Sequence, residues 1–227
     1  METGSVVEFI DSQKIICAAV MEIKALRLRL LTENNREVKL AAGRLAHKSC
    51  QCLDVSVGRD KLAGALREIA AQRRRLSEQV DIRELWEVLN SEQEWIDLAT
   101  MTAFCFPDNP DGDHESAVLR VFFNDRIYFK FNPDRFFPHS VDQVEQIIAQ
   151  RDAEARQALL LGQGGAWLQK VLDNKNPPKP EQSDAICEIL ASYYLFEKES
   201  PHRDLARAML KKAGAEGIIE YPLNKVV

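Results

Sequence analysis

The chain has 227 residues, 45% hydrophobic and 29% charged, a composition of soluble globular proteins and enough length for one large domain or two to three small ones. Its net charge of −5 excludes a protein that coats nucleic acid through its overall field, and no apolar run approaches the ~20 residues that span a bilayer. Five cysteines without a framework spacing, and an N-terminus without a positive region leading into an apolar one, point to free thiols in a reducing cytoplasm.

Residues 1–53 read as short strands. Val6–Ile10 precedes a turn at Asp11-Ser12. Lys14 to Ile23 carries the β-branched Ile15, Ile16 and Val20. Strict alternation follows, with Leu26, Leu28 and Leu30 on one face and Arg27 and Arg29 on the other. Asn34-Asn35 is a turn signal before a fourth strand that points Val38 and Leu40 inward. Four tight strands in so few residues suggest a small barrel, SH3-like or half-open. Arg27, Arg29, Arg36, Lys39 and Arg44 would share its outer surface, either as a binding strip or as an ordinary solvated face.

Residues 54–80 form a connecting helix after a short hinge. Leu62, Leu66, Ile69 and Leu76 make its apolar stripe, and Arg73-Arg74-Arg75 suits its C-terminal end, where positive charge complements the helix dipole. Successive helical residues lie about 100° apart, so the three arginines cannot form one flat patch, and a solvated face is expected.

Residues 81–139 carry start signals for short helices: Asp81 to Glu84, and again Ser91 to Glu94 ahead of Trp95, Ile96 and Leu98. The loop from Pro107 to Asp113 resets the chain, and a third helix shows Ala117, Val118, Val121 and Phe122 on one face. A strand follows in which Ile127, Phe129 and Phe131 alternate with Arg126, Tyr128 and Lys130. Eight of the ten phenylalanines fall between Phe104 and Phe137, which places the best-packed core here. Three helices, a strand and an aromatic turn give the order of a winged helix-turn-helix. The outward set Arg126, Tyr128, Lys130 and Arg135 joins cations to an aromatic ring, a pairing that contacts phosphates and stacks bases. A solvated strand face has the same composition.

Residues 140–227 read as helical. A long helix runs from Ser140 to about Leu160, Gly162 to Gly165 stops it, and a short helix spans Trp167 to Leu172. A Pro-rich linker at 174–180 leads to helices at 184–196 and 201–213. The second of these starts on Ser200-Pro201 and stops at Gly214. The tail from Ile218 looks extended, and an ending on Val226-Val227 reads like a sequence cut before its next element. The whole is therefore α+β, mainly α.

Catalytic signatures are missing. There is no phosphate loop, dinucleotide fingerprint or nucleophile elbow. The acidic loop 108–113 fails calcium-loop spacing, and His47, Cys50 and Cys52 are too tightly spaced for a structural zinc site. No cofactor or metal is expected in this chain.

Gly4-Ser-Val-Val-Glu-Phe-Ile10, Leu28-Arg-Leu-Leu-Thr-Glu-Asn34 and Arg44-Leu-Ala-His47 resemble the N-terminal region of the ribonuclease II/ribonuclease R family. So do Ile82 to Trp86, Tyr128 to Lys130, Phe136 to Pro138 and the final Tyr221 to Val227, in the branch that opens with a small barrel and a winged helix. The resemblance implies the non-catalytic front of a 3′-to-5′ exoribonuclease that degrades RNA. Single-stranded RNA and the family's catalytic domain would be its partners, with no membrane involved. Magnesium would belong to an aspartate cluster in that catalytic domain, and no such motif stands in this sequence. Under that reading Arg126, Tyr128, Lys130 and Arg135 near the wing, with Arg27 and Arg29 on the barrel, would contact RNA. The alternatives are a DNA-binding regulator reading bases through Glu115, Ser116 and Arg120, and a scaffold whose helix 184–196 docks a partner.

Overall fold

The computed structural model describes residues 1–25, 27–92, 94–173 and 175–215. The chain divides into two compact units, Met1–Glu145 and Gln146–Val227.

The first unit begins with an antiparallel five-stranded sheet in the order β4-β3-β2-β1-β5, built from β1 (Ser5–Asp11), β2 (Lys14–Lys24), β3 (Arg27–Thr32), β4 (Glu37–Ala41) and β5 (Leu45–Cys52). The β1–β2 hairpin turns on two residues, Ser12 and Gln13, both at positive φ, the geometry that matches strand twist. Val7, Phe9, Ala18, Val20, Leu28, Leu30 and Leu40 form one apolar face. The opposite face is apolar too, because α1 (Arg59–Ser77) packs Leu62, Leu66 and Ala70 against Val6, Cys17, Ala19 and Leu31. Burying Leu62 and Leu66 contributes about 1.5–3 kcal/mol each.

The sheet does not close: β4 and β5 are its two edges and do not pair, so the expected SH3-like barrel is an open sheet instead. The fifth strand, not anticipated from the sequence, pairs with β1 through two register shifts, and α1 covers the face that a closed barrel would turn to solvent.

A winged helix-turn-helix follows: α2 (Ile82–Leu89), β6 (Ile96–Asp97), α3 (Leu98–Cys105), α4 (Gly112–Asn124), β7 (Phe129–Asn132) and β8 (Arg135–Pro138). Its small antiparallel sheet has the order β6-β8-β7. Asp81 caps α2 as expected, accepting from the backbone N–H groups of Arg83 and Glu84 at 3.0 Å. The expected start at Ser91 is a false one. The second helix begins at Leu98 with Asp97 as its cap, and Ile96-Asp97 is a strand edge. Beyond α4, the Asp125 carboxylate accepts from Ile127, Tyr128 and Phe129 N–H groups, which sets the entry into the wing. Phe122, Phe129 and Phe136 stack in the core with Met101 and Val118, as the phenylalanine clustering implied.

α5 (Val141–Leu172) is one unbroken helix, so the glycines at 162–165 do not stop it. In the second unit α6 (Ser183–Phe196) and α7 (Arg203–Lys212) pack on its C-terminal part around Trp167, Leu168, Ile186, Leu190, Met209 and Leu210. A Cβ at Gly164 would lie 2.9 Å from Met209 Sδ, and one at Gly165 would lie 2.8 Å from Lys212 Cδ. These glycines are thus close-approach positions for α7. Gly214, at φ +75°, ends α7 as expected. The expected extended tail from Ile218 lies outside the described residues.

Candidate nucleic-acid interface

The wing presents alternating residues to its two sides. On β7, Phe129 is buried and Lys130 exposed; on β8, Phe136 is buried, Arg135 exposed and Phe137 half-buried. Lys130 pairs in register with Phe137, and Arg135 with Asn132 and Asp97. Trp95, just before β6, completes this outer face. Trp95 is 39% exposed; its ring lies 5.5 Å from that of Phe137 and carries Arg135 Cζ at 4.9 Å and Lys130 Nζ at 5.7 Å from its centroid. The only carboxylate paired with Arg135 among the described residues is Asp134, at 3.9 Å and well exposed, a contact of little energetic weight. An indole, a phenyl ring and two largely uncompensated cations on one rigid sheet can hold a base and its flanking phosphates.

The remaining expected residues lie elsewhere. Tyr128 is half-buried against Trp86, with ring centroids 5.4 Å apart, so it stacks inside the protein and is not a free platform. Trp86 in turn donates to the His139 carbonyl at 2.7 Å. Arg126 lies over Phe123 at 5.8 Å. Arg27 and Arg29 line a separate cleft with Glu22, Lys24, Glu37 and Lys39. There Arg29 contacts Glu22 at 3.4 Å and Glu37 at 3.8 Å, which compensates its charge. The six expected residues therefore reduce to one convergent pair, Lys130 and Arg135. Trp95 was missed because the false helix start at Ser91 placed it on a helix; Asp97 ahead of Thr100 was the available cap signal.

A second cluster of ionisable groups is internal. Glu8 on β1 is fully buried and faces α1, α4 and β5. Its carboxylate meets the Arg120 guanidinium, accepts from the Ser116 hydroxyl at 2.5 Å, and lies 3.1 Å from Arg73 Nη1 and 3.6 Å from His47 Nδ1. Arg73 Nε also bonds Asp113 at 2.8 Å, and His47 Nε2 lies 3.0 Å from Glu115. Burial alone would raise the Glu8 pKa, but Arg120, Arg73, Ser116 and His47 outweigh it and hold the carboxyl below its ordinary range. Arg73, expected on a solvated face, is instead 0% exposed: it continues the Leu62-Leu66-Ala70 stripe into the sheet–helix interface. Ser116 is fully buried and bonds Glu8 rather than His47, so the set is a structural clamp and not a hydrolytic triad.

That clamp also takes up two of the three expected base-reading residues of α4. Ser116 and Arg120 are buried, and Glu115 pairs with His47 while keeping about a third of its side chain exposed. Among the described residues, no group of three or more His, Cys, Asp or Glu side chains is placed to hold a metal ion. No helix there is long and apolar enough to cross a membrane.

Residues 144–219 match the family model HTH_RNase_II, a double HTH domain. This stretch supplied none of the motifs on which the sequence resemblance rested. Among solved structures, an active-site mutant of the Dss1 exoribonuclease from Candida glabrata aligns with 8% sequence identity and a TM-score of 0.46. The alignment covers 100% of this chain and 36% of that one, so the chain spans about a third of that protein's length. No curated protein matches the sequence.

Proposed function

We propose that this chain, whose residues 144–219 carry the double helix-turn-helix domain of the ribonuclease II family, is the non-catalytic, RNA-guiding region of a 3′-to-5′ hydrolytic exoribonuclease. One observation carries the RNA-guiding half of this reading: Lys130 and Arg135 held against the exposed Trp95 ring on the outer face of the wing. A single-stranded substrate suits that face, because an unpaired base exposes the π-surface that an indole can stack on. Phosphate contacts by Lys130 and Arg135 would supply salt-sensitive affinity. Catalysis would lie with the family's catalytic domain, where magnesium would also be held.

The test is fluorescence anisotropy of labelled single-stranded RNA and duplex DNA at several salt concentrations. Tighter binding of the single-stranded RNA, quenching of Trp95 emission and loss of both in Trp95→Ala support the reading. Equal, negligible binding to the two would sink it. A docking role is compatible and has its own observation: Tyr194, Leu195 and Phe196 end α6 with 45%, 69% and 57% of their surface exposed, spread around the helix end where a protein partner such as the catalytic domain could cover them.

A further inference from the structure

A cleft of about 460 Å³ opens between the β1–β2 turn, the turn after β3, the outer side of α1 and the end of α4. Its ionisable lining is one-sided: Lys14, Arg67, Arg74 and Arg120 against a single carboxyl, Glu33. Arg120 is committed to Glu8. Lys14, Arg67 and Arg74 are exposed and have no acidic partner within ion-pair distance among the described residues. The Arg74 Nε–H is spent on the Ala70 carbonyl of its own helix. In a chain of net charge −5, three uncompensated cations in one concavity form a local anion trap.

Glu33 does not cancel them. Its Oε2 is buried without a hydrogen-bond partner. Burial raises its pKa, and the lowering by Arg120 and Arg74 does not bring it back. The rest of the lining is mixed: Gln13, Asn34, Ser77 and Asn124 are polar, and Ile15, Ile16 and Phe123 are apolar, with Ile15 packed on Phe123. The volume falls within the ~300–1,000 Å³ of small-ligand sites and exceeds what a bare anion needs.

The geometry points to a nucleotide-binding cleft, in which Lys14, Arg67 and Arg74 hold a phosphate group and the mixed remainder of the lining, apolar at Ile15, Ile16 and Phe123 and polar at Gln13, Asn34, Ser77 and Asn124, takes the base. The cleft shares no residue with the wing face, and the inference stands or falls separately from it. A free nucleotide and one unit of an RNA strand present the same chemistry.

Isothermal titration of the full chain with a nucleoside 5′-monophosphate, the matching nucleoside and inorganic phosphate tests the assignment. The monophosphate should bind at least about tenfold more tightly than the nucleoside, and Arg67→Gln or Arg74→Gln should each weaken it about tenfold, since each removes a charge-assisted hydrogen bond. Both side chains are exposed, so unchanged thermal melting would confirm folded variants. Glu33→Gln should leave affinity unchanged or raise it, and Trp95→Ala should not affect it. Competition by a short single-stranded RNA would assign the cleft to a strand; a lack of competition would assign it to a free nucleotide. No binding of the monophosphate, wild-type affinity in Arg67→Gln and Arg74→Gln, or equal affinity for inorganic phosphate would overturn the assignment.

Discussion

Glu8 shows what a single buried charge does in this fold. It lies between two arginines, a histidine and a serine from three different elements, so each partner's desolvation is offset only while the carboxylate is present. Glu8→Ala should therefore lower unfolding free energy by about 3–5 kcal/mol in urea denaturation, because Arg73 and Arg120 would stay buried and unpaired. Replacing Glu8, Arg73 and Arg120 together with apolar residues of similar volume should recover most of that loss, and failure to recover would show that the network is more than mutual compensation. Trp95 is the opposite kind of residue, partly exposed on the outer face of the wing. Removing its ring should weaken single-stranded RNA binding by about 1–3 kcal/mol, the worth of one stacked base. Folding stability should barely change.

At the scale of elements, α5 and α4 each contradict a simple rule for a definite reason. Glycine is a poor helix former, yet Gly164 sits inside α5 because α7 brings Met209 within contact there. A side chain at that point overfills the interface, so Gly164→Val should cost about 1–3 kcal/mol. Gly162 has nothing within 4 Å of a Cβ, so Gly162→Ala should stabilise by about 0.5–1 kcal/mol, helix propensity alone deciding. Thermal melting of the two variants in opposite directions would separate packing from propensity on one helix. α4 holds the position of a recognition helix in a winged helix, yet its polar residues Ser116 and Arg120 close the clamp on Glu8.

For the whole molecule, two carboxyls set opposite dependences on pH. Glu8 has a lowered pKa in the fold, so its contribution is complete above the ordinary carboxylate value of about 4.3 and is lost as pH falls through its folded value. Glu33 has a raised one, so stability is greatest below about 4.3 and declines as pH rises through its folded value. Glu33→Gln should thus stabilise the protein at pH 7, and the gain should vanish in acid; denaturation curves at pH 7 and pH 4 would show it. Incubated with single-stranded RNA and magnesium, the purified chain should bind without shortening it. Stepwise 3′ loss on a denaturing gel would reverse the division of labour proposed here.

The sequence alone determined what local chemistry can specify. Asp81 before a helix, the turn after Asp11, the alternation of Leu28 and Leu30 with Arg27 and Arg29, and Gly214 after α7 each act within a few residues, and each was legible. The phenylalanine clustering also located the winged-helix core, since aromatic area must be buried somewhere nearby. Tertiary structure decided the rest through partners distant in sequence. Arg73 looked like a solvent-facing charge because Glu8 and Asp113, which bury it, lie on other elements. Lys130 and Arg135 looked like half of a four-residue outer set with Arg126 and Tyr128 until strand pairing gathered only those two on Trp95, while Tyr128 turned in to Trp86. The sheet stays open with α1 packed on one of its faces, an arrangement set by contacts between elements far apart in sequence that no local pattern records.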